Sequence, residues 1–173
     1  YEFNGTSDYF VVPSNIAAQL TKSEWTIEFW IYIDSTKRTE QKIFYQESGN
    51  SDILQLYIKE YNSKLYFNLY SGYGYKNWNL EHPSFSSLDQ WIHFAFVFDN
   101  SYTNVDTYYQ YIKLYRNGVY WNPNTGTNDS FFTTANSSIS IGGYNNANYF
   151  KGFLKHLRVW NIVRTEIEIQ NSI

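Results

Sequence analysis

The 173-residue chain sets 13 Lys and Arg against 16 Asp and Glu, a net charge of -3. Its basic residues are scattered, which excludes the concentrated cationic face that a nucleic-acid partner requires. It has no Cys, excluding disulfides and thiolate metal sites, and no apolar run approaching the ~20 residues of a membrane-spanning helix, so direct membrane insertion is not expected.

Tyr, Phe and Trp form 21% of the chain, and such rings suit the half-buried surface of strands better than a helix face. In chain order, a turn at Asn4-Gly5 precedes a short strand over residues 9–12. Residues 26–34 alternate: Ile27, Phe29, Ile31 and Ile33 face one way, and Thr26, Glu28, Trp30 and Tyr32 the other. Strands follow over 43–46, 53–59 and 64–70. Residues 91–99 repeat the alternation, with Ile92, Phe94, Phe96 and Phe98 inward and Trp91, His93, Ala95 and Val97 outward. Strands at 110–116, 138–141 and 153–160 complete the set, and Asn117-Gly118 is the strongest hairpin turn. Only the tail from Thr165 starts a helix, with Thr165 as N-cap and Glu166 and Glu168 in its first turn. The whole reads as one all-β, two-sheet antiparallel sandwich over residues 1–173. Because it opens on Tyr1 and contains no Met, it reads as a module excised from a larger protein.

Several segments, taken in order, carry a resemblance. They are residues 3–12 (FNGTSDYFVV), 25–31 (WTIEFWI), 91–99 (WIHFAFVFD), 112–118 (IKLYRNG), 140–143 (SIGG), and 150–154 with 158–161 (FKGFL and RVWN). Together they resemble the laminin-G-like group of the concanavalin A-like lectin and glucanase superfamily, relatives of the pentraxins. That resemblance implies a jelly-roll fold on which members bind glycans, bind proteins or hydrolyse polysaccharides, so the site has to be argued separately. Where the group often carries acids in its last strand, this chain has Lys155-His156, so no calcium ligand is carried over there. Asp8, near the first turn, is the one candidate metal ligand, and Ca2+ is the ion it would help to hold.

A glycosidase needs two carboxylates flanking the scissile bond. Glu24 and Glu28 share a strand face but lack an orienting acid, and Glu28 reads as a sheet-surface residue. His82, His93 and His156 have no metal-ligand spacing. What remains is aromatic and amide-rich: Tyr73, Tyr75, Trp78 and Asn79 in one stretch, Trp121 after the hairpin, and Tyr144, Asn145, Asn146 and Tyr149 in another. Sugar C–H faces stack on such rings and sugar hydroxyls bond such amides. The expectation is a non-catalytic, lectin-like carbohydrate-recognition module of a secreted or cell-surface protein. Its partners would be a glycan or glycoprotein and neighbouring domains of the same protein. The alternative is a structural or adhesive domain, assembling an extracellular array or filament through Trp30, Tyr32, Tyr111 and Tyr115.

Overall fold

The computed structural model describes residues 1–14, 24–48, 51–71, 74–82, 85–99, 112–121, 138–144 and 147–173. Two six-stranded antiparallel sheets form its layers. The first runs in the order β1 (Glu2–Asn4), β14 (Lys151–Trp160), β3 (Glu24–Ile33), β10 (Trp91–Asp99), β11 (Ile112–Arg116) and β12 (Val119–Tyr120). The second runs β2 (Phe10–Val12), β13 (Ile139–Ile141), β4 (Gln41–Ser48), β5 (Ser51–Tyr61), β6 (Lys64–Ser71) and β7 (Gly74–Asn79). A ribbon of β8 (Glu81–His82) and β9 (Phe85–Ser86) and a terminal helix α1 (Glu166–Gln170) complete the described elements. In each sheet a strand from the start of the chain pairs with one from its end, β1 with β14 and β2 with β13, and the middle strands follow, the crossover pattern of a jelly roll. No helix among the described residues is long and apolar enough to cross a membrane.

The alternation in β3 and β10 has the consequence expected of it. Ile27, Phe29, Ile31 and Ile33, with Ile92, Phe94, Phe96 and Phe98, join Phe44, Leu56, Ile58, Leu65 and Phe67 in one buried cluster between the sheets. The Phe67 ring meets Phe94 edge-on at 4.8 Å and Phe96 at 5.8 Å, so one side chain of the second sheet clamps two of the first. Burying each such ring is worth about 1.5–3 kcal/mol. Asn117 and Gly118 form the expected two-residue turn between β11 and β12, both at positive φ (48° and 74°). The Asn117 side chain also accepts the His93 N–H at 3.0 Å, tying the turn to the central strand.

The outer face of the first sheet is covered along part of its width by the C-terminal segment. Thr165 caps α1 through a full capping box with Glu168, as expected. Ile169 is buried against Ala95, Val97 and Tyr115. Tyr115 therefore lies beneath the helix and is not open for docking to another molecule, a correction to its place in the adhesive alternative. Tyr111 lies outside the described residues.

Glu28 is likewise corrected: it is on the outer face but fully buried. Arg164 Nη1 donates to both of its oxygens at 2.7 Å, and the Trp160 indole N–H to one at 3.1 Å. Arg164 also donates to the Glu168 carbonyl and the Ser172 hydroxyl, so one guanidinium joins strand, helix and terminus. Thr26 donates to the Ile162 carbonyl and accepts the Arg164 N–H, fixing the segment at its entry.

His93 Nε2 is 4.0 Å from this carboxylate. Burial pushes the imidazole below its ordinary value near 6.5, against the pull of Glu28, and Arg158 and Arg164 add to the lowering. As pH falls, the unfolded chain takes up this proton first, so the stability His93 contributes is present above its unfolded value and lost as pH falls below it. Urea unfolding at about pH 7 and about pH 5.5 should show the wild type losing stability over that step and His93→Gln losing less. Equal losses in both would remove His93 from this role.

Candidate functional site

The outer face of the second sheet gathers tyrosine and polar side chains. On β4 and β5, Lys42 stands opposite Tyr57, and Tyr45 opposite Gln55. A register irregularity between Lys42 and Phe44 adds a residue to β4. Lys42 and Tyr45, three positions apart, can therefore share the outer face while Ile43 and Phe44 both enter the core. The Lys42 ammonium lies 4.4 Å from the Tyr57 ring centroid and 5.4 Å from that of Tyr45. It donates to Gln55 Oε1 and pairs with Glu40 at 3.0 Å. With its side chain 10% exposed, this lysine is a fixed post rather than a solvated charge.

Over this floor lies the turn that leaves β13. Tyr144 and Ala147 exchange both backbone hydrogen bonds (3.2 and 2.9 Å). The Tyr144 ring packs on Tyr45 with centroids 3.9 Å apart and planes tilted by 32°, leaving Tyr45 6% exposed. Asn148 holds the turn from the other side, its carbonyl accepting the Lys42 N–H at 2.7 Å and its amide donating to Glu40 at 3.4 Å. The arrangement is a half-exposed aromatic surface, Tyr144 with Tyr57, backed by a buried cation and amide.

The structure treats the sequence-predicted residues unequally. Tyr144 sits in this group. Tyr149 follows Asn148 beyond the turn, its ring packed on Tyr9 at 6.2 Å and its carbonyl accepting the Lys37 ammonium. Trp121 is half-buried, with its ring 5.9 Å from Phe94 on the core side of the first sheet. Tyr75, Trp78 and Asn79 lie on strand β7, not in a loop. Register sets Tyr75 beside Tyr70 in the row of Tyr45 and Gln55, Asn79 beside Tyr66, and Trp78 beside the buried Phe67. The side chains of those three, and Tyr73, Asn145 and Asn146 altogether, are outside the described residues. Lys42, Tyr45, Gln55 and Tyr57 were missed by sequence reasoning, because Lys42 and Tyr45 are three positions apart and strict alternation would put them on opposite faces.

Asp8 serves the first turn. Asn4 Oδ1 accepts the N–H groups of Thr6 and Ser7, and Asp8 Oδ2 accepts the Asn4 N–H at 2.9 Å. Among the described residues no three His, Cys, Asp or Glu side chains group as a metal site. Glu24 and Asp99 are register partners at the end of β3 and β10, a carboxylate pairing the sequence reading did not weigh.

The fold recurs in solved structures. The chain overlays a SAP-like pentraxin from Limulus polyphemus at TM-score 0.64, with 17% identity over 98% of this chain and 78% of that one. It overlays domain 4 of the extracellular arabinanase AbnA from Geobacillus stearothermophilus, solved with arabinotriose, at TM-score 0.65, again 17% identical, covering 98% and 74%. The botulinum neurotoxin serotype D binding domain matches at TM-score 0.68 and 15% identity over 99% of this chain, which spans 41% of that one. No curated protein matches in sequence. A family model described as the concanavalin A-like lectin/glucanases superfamily, of laminin-G type, matches residues 4–170, and the chain belongs to that superfamily.

Proposed function

We propose that this domain is a non-catalytic carbohydrate-recognition module of a secreted or cell-surface protein, and that it binds glycan on the outer face of its second sheet. The observation that carries the reading is the Tyr144 ring packed at a tilt against Tyr45, beside the buried Lys42. A sugar C–H face stacks on a tyrosine ring held in place, and its hydroxyls need amide and carboxylate partners within reach. Tyr57, Glu40 and Lys59 supply described candidates, Glu40 bridging Lys42 and Lys59. Tyr73, Tyr75, Asn79, Asn145 and Asn146 are proposed to extend the surface from β7 and the Tyr144 turn, and Trp78, in the register row of the buried Phe67, is left out of it. The arabinanase domain, solved with arabinotriose, is a precedent for sugar binding on this fold.

A glycan array screened with the isolated domain, with calcium and with chelator, tests this. Selective binding is expected, and Tyr144→Ala should weaken it at least about tenfold, the equivalent of one lost ring contact. Loss with chelator alone would add an ion to the site. Silence from a folded domain would refute the reading, and sugar release from any polysaccharide would refute the absence of catalysis.

A further inference from the structure

The opposite outer face carries a second feature that this reading leaves unused. Beyond the part covered by the C-terminal segment, Tyr32, Trp91 and Phe153 form a triangle of rings with centroids 6.2, 5.7 and 6.2 Å apart. Trp91 and Phe153 remain 39% and 37% exposed. The exposed Lys155 extends over Trp91 and the adjoining Trp30, its ammonium 4.3 Å and 5.4 Å from their ring centroids.

A fold irregularity builds this arrangement. Lys155 pairs with Trp30 and Arg158 with Glu28, so β14 spends three steps where β3 spends two. His156, at φ 52°, takes up the extra residue. Without the bulge, residues three apart would face opposite sides of the sheet; with it, both cations stand on the outer face. The groups facing Lys155 leave its charge unmet. Two acids lie within two register positions: Glu28 is taken by Arg164 and Arg158, and the exposed Glu2, paired with Phe153, forms no ion pair with Lys155, while burial disfavours the charged form of His93. Among the described residues Lys155 has no carboxylate partner, and this in a chain of net charge -3.

We infer that Trp91, Phe153, Tyr32 and Lys155 form a second binding patch whose ligand is a carboxylated pyranose, stacked on the rings with its carboxylate at the Lys155 ammonium. Size argues against a protein partner. At roughly 150–250 Å² per aromatic side chain, two rings exposed by two fifths offer on the order of 200 Å². A stable protein interface buries about 800 Å² per partner. Charge argues for an anion, because a cation resting on indole faces accepts a carboxylate without losing an existing ion pair. The patch lies on the other sheet from Tyr144 and does not depend on a glycan binding there.

Calorimetric titration with sialyllactose and with an oligogalacturonate, each against its neutral counterpart (lactose and the methyl ester), separates the two sources of such a sugar. At least one acidic member should bind wild type and Tyr144→Ala equally, which keeps this patch distinct from the other face. Lys155→Gln should weaken that binding about five- to tenfold and leave the neutral counterpart unchanged, and added salt should act in the same direction. Trp91→Ala should weaken both. The inference is overturned if neither acidic sugar binds, or if Lys155→Gln leaves binding unaltered. It is also overturned if the domain dimerises with concentration and Trp91→Ala disperses the dimer, which would make the patch a contact between copies.

Discussion

Arg164→Ala should destabilise the domain by roughly 3–5 kcal/mol, the cost of leaving a buried carboxylate without its counter-charge. Glu28 is fully buried, and Arg164 supplies its two shortest bonds. The same guanidinium stacks on Trp160 at 4.5 Å and bonds the terminal helix, so its removal also frees the segment that covers Ala95 and Val97. Two controls identify the mechanism. Arg158, 41% exposed and 3.4 Å from Glu28, should cost less than about 1 kcal/mol when replaced by Ala. Adding Glu28→Gln to Arg164→Ala should recover part of the loss, because the stranded charge is removed. Urea unfolding reads all three, and an Arg164→Ala effect no larger than that of Arg158→Ala would contradict the account.

Gly152→Ala should cost roughly 3 kcal/mol or more. Gly152 sits at φ +143°, and a Cβ there would fall 2.1 Å from the Tyr32 carbonyl oxygen, an atom of backbone that cannot turn aside. Neighbouring Phe150 would be struck as well, its ring edge at 2.8 Å. Because Gly152 pairs with both Phe3 and Ile33, relief by moving the strand would break two ladders at once. Thermal unfolding of Gly152→Ala beside Phe153→Ala separates backbone strain from loss of a ring. A smaller effect at Gly152 than at Phe153 would mean that the strand relaxes.

The parts of the fold legible in the sequence were those with an unbroken period. In β3 and β10 every second residue is apolar and large, so both faces could be assigned and were observed as assigned. Asn117-Gly118 and the Thr165 cap were equally plain, because few other residues serve those backbone positions. β14 shows where this stops. Its bulge shifts the alternation midway, so Lys155 and Arg158 share a face that their spacing denies. β7 is absent from the strands expected from the sequence, because Gly72 and Gly74 flank Tyr73 and its apolar residues do not alternate, yet pairing with β6 makes it a strand.

Legibility of the site divides along the same line. Alternation tells which face a residue is on but not what covers that face. Glu28 was placed on the correct side and still misjudged, since its cover comes from Arg164, 136 positions away. Tyr144 could be named from the ring-and-amide composition of its turn. Its floor could not, because Lys42, Tyr45 and Tyr57 come together only through the β4 irregularity and the pairing of β4 with β5.

The central claim, that sugar is held on the outer face of the second sheet, is tested most directly by mapping amide chemical-shift changes in the labelled domain as an array-selected neutral glycan is added. The account predicts changes concentrated at Lys42, Tyr45, Tyr57 and Tyr144 and absent from Glu28 and Arg164. Changes confined to the first sheet, or to the turn around Asn4 and Asp8, would contradict it.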